Sequence, residues 1–191
     1  MLVSQYNHIL VVLSFVVAIL AAYTALNMAA RVAGSEGVAA RVWLAGGGIA
    51  MGIGVWAMHF IGMLAMDLSM SMSYNASLTA LSMVVAVGSS LFALWLVSCD
   101  QLRLRRLLPG ALVMGSGIVA MHYTGMAALE VMPGIIWDKV WVAISVAIAL
   151  AASLTALWLT FRLRHDVAQV VLMRTGAAIT MGIAIAGMHY A

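Results

Sequence analysis

Charge is what this sequence has least of. Only 8% of its 191 residues are Asp, Glu, Lys or Arg, 65% are hydrophobic, and the mean hydropathy is +1.12. Soluble domains carry about 25% charged residues, so a water-exposed globular fold is excluded and a polytopic membrane protein is implied. Cysteine is nearly absent. The single Cys99 excludes an intrachain disulfide and a cysteine-based metal cluster, and reads as a small apolar filler. A cleavable leader is not expected either: the stretch from Met1 to His8 has no Lys or Arg, and the apolar run beyond it is too long for one. There is no phosphate-binding glycine loop, since Gly46-Gly47-Gly48 lies inside an apolar segment. No Ser/His/Asp or Cys/His set suggests nucleophilic catalysis, and no soluble stretch is long enough for a catalytic domain. These 191 residues are therefore expected not to be an enzyme, and nucleic acid is not an expected partner.

What is present is a set of long apolar segments. A bilayer core takes about 20 apolar residues per helix, and six segments qualify, at 9–30, 42–66, 76–98, 110–131, 136–161 and 168–191. The connections are short, so consecutive helices are expected to be antiparallel neighbours. Loops one, three and five and their flanks hold Arg31, Arg41, Arg103, Arg105, Arg106, Arg162, Arg164 and Arg174, whereas loops two and four hold only Lys139. The positive-inside rule then puts the N-terminus outside and the arginine-bearing loops in the cytoplasm. Arg103, Arg105 and Arg106 read as topology determinants, with unspecific contact to lipid headgroups as an option; His165, in the last such loop, reads as exposed. Trp43, Trp95 and Trp158 near one interface, and Tyr6, Tyr74 and Trp137 near the other, fit an aromatic belt.

One phrase occurs three times: Ala57-Met58-His59-Phe60-Ile61-Gly62-Met63, Ala120-Met121-His122-Tyr123-Thr124-Gly125-Met126 and Gly187-Met188-His189-Tyr190. The histidines are 63 and 67 residues apart, and Met51-Gly52, Met114-Gly115 and Met181-Gly182 precede each at a fixed offset. A repeat of this period is one supersecondary unit used three times. The expected fold is all-α integral membrane: six transmembrane helices as three tandem hairpins (8–67, 76–131 and 136–191) with approximate three-fold internal repetition. All three copies then fall toward the outward end of helices two, four and six.

At 100° per residue, Gly48 and Gly52, Ala111 and Gly115, and Ala178 and Gly182 lie close to the direction of the following histidine. Small residues in membrane helices mark close helix approach, so the histidines are expected on the packed face, with the three even helices meeting around a central axis. Met63, Met126 and Met66 share that face; Met58, Met121 and Met188 point about 100° away, to the rim of the same site or to a neighbouring helix. A lone buried histidine is often a polar anchor, but ionisable residues inside a span are candidates for function, and three at matched positions strengthen that reading. Methionine is ordinarily core filler; a fixed offset from histidine raises it. Imidazole with thioether suits copper, whereas zinc is less natural without thiolate or carboxylate. Asp67 and Glu130, eight residues after their histidines, read as interfacial loop charges with an option to gather cations. Tyr123, Tyr190 and Phe60 read as packing residues.

Met121-His122-Tyr123-Thr124, with its two partial copies and the segments His8-Ile9-Leu10-Val11-Val12-Leu13-Ser14 and Tyr23-Thr24-Ala25-Leu26, resembles the MHYT-domain family of bacterial integral-membrane sensors, across essentially the whole chain. The first copy departs from the motif at Phe60 and Ile61. The resemblance implies a single sensor domain over 1–191 in the bacterial inner membrane, with copper held near the periplasmic face. The implied ligands are His59, His122, His189, Met63, Met126, Met58, Met121 and Met188; His8 is a weaker candidate at the same surface. It further implies detection of a diatomic gas (O2, CO or NO) and a cytoplasmic output domain making or degrading cyclic di-GMP. That family's seventh span and output domain are not among these residues, so the expectation is a fragment; a homodimer is compatible. The competing readings are a haem protein with histidine axial ligands, and a copper or proton transporter or channel.

Overall fold

The computed structural model describes residues 5–67, 73–99, 104–131, 137–164 and 170–190. In chain order these form β1 (Gln5–Tyr6), α1 (His8–Ala33), α2 (Gly37–Leu64), β2 (Met66–Asp67), β3 (Ser73–Tyr74), α3 (Ala76–Ser98), α4 (Leu104–Ala127), β4 (Leu129–Glu130), α5 (Lys139–Arg162) and α6 (Val170–Tyr190). All six helices are long and apolar enough to cross a membrane.

The odd helices start in the same way. Asn7 accepts hydrogen bonds through its side chain from the backbone of Ile9 and Leu10 at 3.0 and 3.4 Å, Asn75 from Ser77 and Leu78 at 3.1 and 3.2 Å, and Asp138 from Val140 at 2.8 Å. A short polar side chain at this position satisfies amides that a helix start leaves unbonded. The backbone amides of Asn7 and Asn75 in turn donate to the carbonyls of Ala65 and Ala128, both at 2.8 Å, tying the start of each of the first two hairpins to its own end. Beside these ties β1 pairs antiparallel with β2 (Gln5 opposite Asp67, Tyr6 opposite Met66) and β3 with β4 (Ser73 opposite Glu130, Tyr74 opposite Leu129).

The helices form a closed ring in chain order, with α6 packed back on α1. The principal neighbours of each even helix are odd helices, and the three even helices meet inside the ring through their histidines. A side chain at Gly52 would collide with the Val87 backbone of α3, at Gly115 with Leu150 of α5, and at Gly182 with the Ile19 backbone of α1. The small residues are thus the seams between successive hairpins, and the histidines fall just inside those seams. Ile19, Val87 and Leu150 each lie twelve residues after the capping Asn7, Asn75 or Asp138, so all three seams have the same construction.

Two boundaries differ from the sequence reading. Helix α4 begins at Leu104, with Pro109 inside it; an isolated proline near a helix start costs few intrahelical bonds, so Pro109 does not break the span. Met66 lies in β2, so the helical phase that placed it on the histidine face does not apply. Trp95, Trp158, Trp137 and Tyr6 are exposed on the outside of the ring, as membrane-interface anchors would be. The orienting arginines are only partly solvated. Arg164 is buried and donates to the carbonyls of Val97 at 2.7 Å and Cys99 at 2.6 Å. Arg174, also buried, donates twice to the Leu163 carbonyl at 3.1 and 3.0 Å. Both guanidiniums close carbonyls at the ends of neighbouring helices, where positive charge is favoured. Arg103 and His165 lie outside the described residues.

Candidate metal centre

Three imidazoles meet where the three hairpins meet. His59, His122 and His189, from α2, α4 and α6, each place one ring nitrogen within 4.8 Å of the others. Nδ1 of His59 lies 3.0 Å from Nδ1 of His189 and 3.3 Å from Nδ1 of His122. Ring centroids are 4.8, 4.9 and 5.5 Å apart, with interplanar angles of 69° to 90°. His59 is 1% exposed and His122 7%, so water does not reach this group freely.

Glycine makes the convergence fit. A Cβ on Gly62 would strike the His189 ring, and one on Gly125 the His59 ring. Each glycine of the repeated His-x-x-Gly thus lies beneath the histidine of another repeat. The aromatic after each histidine fixes its helix from the other side. Tyr123 Oη lies 2.7 Å from Ser145 Oγ of α5, and Tyr190 Oη 2.9 Å from Ser14 Oγ of α1. Phe60 has no hydroxyl, and there Trp56, one turn earlier, donates Nε1–H to Ser82 Oγ of α3 at 3.1 Å. Ser14, Ser82 and Ser145 stand seven residues after Asn7, Asn75 and Asp138. This serine repeat was readable in the sequence once the odd helices are aligned on their caps, and the sequence reading missed it. The first copy retains the hydrogen bond although it lacks the hydroxyl.

The donor arrangement fits a small cation. A ring nitrogen offers one hydrogen or one lone pair, so Nδ1 of His59 cannot satisfy both of its neighbours by hydrogen bonding. Three nitrogens bound at about 2.0–2.1 Å in trigonal or tetrahedral geometry stand about 3.3–3.6 Å apart, close to the two observed contacts. Nε2 of His59 is buried and without a hydrogen-bond partner among the described residues, where a metal-bound histidine usually has one. A haem fits less well, because centroids 4.8 to 5.5 Å apart leave no space for a macrocycle between the rings.

The methionines divide. Met58, Met63, Met121 and Met188 are buried and Met126 is half-buried. Met58 packs with Ala18 and Ala186, and Met121 with Ala21, Val55 and Ala86, so both sit in apolar seams. His8 is exposed at the start of α1 and is not part of the histidine group. Glu130 is exposed and accepts from Ser73 Oγ at 3.1 Å and Asn75 Nδ2 at 3.4 Å, a brace across the strand pair. The Asp67 side chain is outside the described residues.

Deeper in the ring lie two apolar cavities of about 40 and 20 Å³, both lined by Met51, Met114 and Met181. The larger also touches Val55, Ile118 and Ile185, one turn before the histidines. Leu94 and Leu157 line the smaller cavity and, with Leu26, are fully buried.

Comparison with known proteins places this geometry. The family described as "Bacterial signalling protein N terminal repeat", MHYT, matches residues 52–110 and 115–173. Its repeat runs from the middle of one even helix to the start of the next, the same unit as the hairpin in a shifted phase. The chain is 58% identical over 190 residues to the bifunctional diguanylate cyclase/cyclic di-GMP phosphodiesterase MucR of Pseudomonas aeruginosa, covering 100% of this chain and 28% of MucR. It is 38% identical to the cyclic di-GMP phosphodiesterase NbdA of the same organism (97% of this chain, 24% of NbdA) and 36% identical to the signaling protein YkoW of Bacillus subtilis (97% and 23%). The chain thus spans about a quarter of the length of the relatives it matches. No solved structure matches. With the repeated histidine motif, the six membrane-length helices and the matched repeats all in register, this chain belongs to the MHYT family.

Proposed function

We propose that the chain is the sensory input module of a membrane-bound signalling protein, and that its histidine centre binds copper and, through it, a diatomic gas. The observation that carries this is the meeting of one buried ring nitrogen from each repeat. His59, His122 and His189 would hold the metal, with Met63 and Met126 as the nearest thioethers by helical phase. Imidazole and thioether suit copper in its reduced state, and a bound copper ion supplies an open position for a small ligand. The apolar cavity one turn below, about 40 Å³, suits an uncharged diatomic molecule and offers water few partners. In this reading the centre faces the periplasm, and the arginine-rich end faces the cytoplasm.

Signalling requires that the ligand bind two packing states with different free energy. The ring supplies candidates: the contact of His122 with His189 is the widest of the three, at 5.5 Å between centroids, and drawing it in would move α4 against α6. The relatives' names, a cyclic di-GMP cyclase/phosphodiesterase and a phosphodiesterase, support an output of that chemistry in the same polypeptide.

The test is metal analysis of the purified protein after loading with Cu(I), beside a His59→Ala/His122→Ala/His189→Ala variant. The expected result is bound copper in the first and none in the second; equal stoichiometry would refute the assignment. A visible spectrum of protein purified from haem-replete cells addresses the haem alternative, for which a Soret band is the signature.

A further inference from the structure

We infer that a groove between α3 and α4, at the end of the bundle opposite the histidines, binds one anionic phospholipid. The groove has a volume of about 410 Å³ and is walled by Phe92, Trp95 and Leu96 of α3 and by Val113 of α4, with Arg105 and Arg106 at its mouth. It lies at the ends of two membrane-length helices, at headgroup depth.

Comparison between repeats shows why the groove is there. Trp158 occupies in α5 the place of Trp95 in α3, within the shared pattern Ser-Leu-x-Ala-Leu-Trp-Leu. Arg162, four residues later, lays its guanidinium over Trp158 at 5.3 Å from the ring centroid, and Arg31 covers Trp43 in the same way at 4.6 Å. Four residues after Trp95 stands Cys99, which is too short and uncharged. The Trp95 ring meets Phe92 at 5.9 Å between centroids and carries no guanidinium among the described residues, with the residue 52% exposed, and the cations stand across the groove on α4. Pro109 and Gly110 continue the α4 wall. The Leu96 side chain packs against Gly110 and floors the groove there, and proline has no amide to close on the Arg105 carbonyl one turn back.

The chemistry of the walls selects the occupant. Arg105 and Arg106 are exposed and, among the described residues, neither stacks on a ring nor pairs with a carboxylate. Two adjacent guanidiniums suit one phosphodiester. Val113 is exposed, Phe92 half-buried and Leu96 buried at the floor, so the groove runs from that mouth along the membrane-facing edge of the helices, where an acyl chain would lie. Free phosphate would use the mouth and leave the walls bare. A phospholipid uses both, and an anionic one complements the charge.

Native mass spectrometry of the detergent-purified protein, offered equal amounts of dioleoylphosphatidylglycerol and dioleoylphosphatidylcholine, tests this. One phosphatidylglycerol should be retained in preference. Arg105→Gln/Arg106→Gln should reduce that preference about 25-fold, taking about 5-fold for each basic residue near the headgroups. Arg31→Gln/Arg162→Gln removes equal charge elsewhere and should leave it intact. Cys99→Trp keeps both arginines but fills the groove, and should also abolish retention. Equal retention of the two lipids by the unmodified protein would overturn the inference. So would equal losses in the two double-arginine variants, full retention in Cys99→Trp, or displacement of the lipid by excess inorganic phosphate.

Discussion

A single methyl group tests how tightly the histidine centre is built. Replacing Gly125 by Ala puts a Cβ against the His59 ring, with Cδ2 at 2.8 Å, where ordinary contact begins at 3.4 Å. Nε2 lies closer still, so the ring must retreat by more than about 0.6 Å, whereas metal–ligand distances are held to about 0.2 Å. Folding changes little: overpacking costs about 1–3 kcal/mol, while alanine in a helix interior regains about 1 kcal/mol over glycine. The net is a loss of about 0–2 kcal/mol. Ligand geometry suffers more, and displaced ligand support typically lowers metal affinity about 10–100-fold. The assay is competition for Cu(I) against a chromophoric chelator in detergent, with thermal unfolding alongside. Gly62→Ala, against the His189 ring, should behave likewise. Gly187→Ala is the control, since it lies beside Met188 but has nothing within 4 Å of its added methyl. Copper affinity in Gly125→Ala within two-fold of the unmodified protein would refute the reasoning, because the ring would then have room that the structure does not contain.

Other consequences follow from the same contacts. Trp56→Phe should lose the 3.1 Å bond to Ser82 at a cost of about 0.6–1.7 kcal/mol, as for other hydrogen bonds between membrane helices; adding Phe60→Tyr should recover part of it, read from denaturant unfolding in micelles. Tyr123→Phe and Tyr190→Phe should each cost a similar amount. Arg174→Met leaves the Leu163 carbonyl without two charge-assisted bonds, and about 1.5–3 kcal/mol per such bond makes it more damaging than the same change at exposed Arg41. Tyr74, beyond the helix ends, has its phenol pKa raised by burial. The unfolded chain then ionises first, so stability should fall as pH rises above about 10, and Tyr74→Phe should flatten that fall.

Most of the architecture was readable because the bilayer imposes it. Span length, short connections and a repeated phrase together imply three hairpins. The helix-phase argument also put the histidines on the packed face. What phase could not supply was the identity of the neighbour. Gly52, Gly115 and Gly182 meet Val87, Leu150 and Ile19 of the odd helices, because six helices in a ring touch along its circumference more than across it. The two-residue strands escaped detection since no periodicity exists at that length. Arg164 and Arg174 carried the right charge for topology, yet burial and the carbonyls they bond depend on chain ends brought together only by folding.

The ring also explains why the motif has the form it does. His59 lies on Gly125, His189 lies on Gly62, and the aromatic after each histidine, or Trp56 in its stead, is bonded to the serine of the following hairpin. These histidines, glycines and aromatics therefore act on a different repeat from the one that carries them. A hairpin alone would hold a histidine with no nitrogen to face and a glycine with no ring to carry. The centre is thus a property of the seams, and whatever draws the three nitrogens together must also shift one hairpin against another. Moving a packing equilibrium from 1:99 to 99:1 takes a difference in binding of about 5.5 kcal/mol, within reach of metal ligation but not of one hydrogen bond. Histidine at the seams is the placement from which ligation at one end of the bundle would move whole helices.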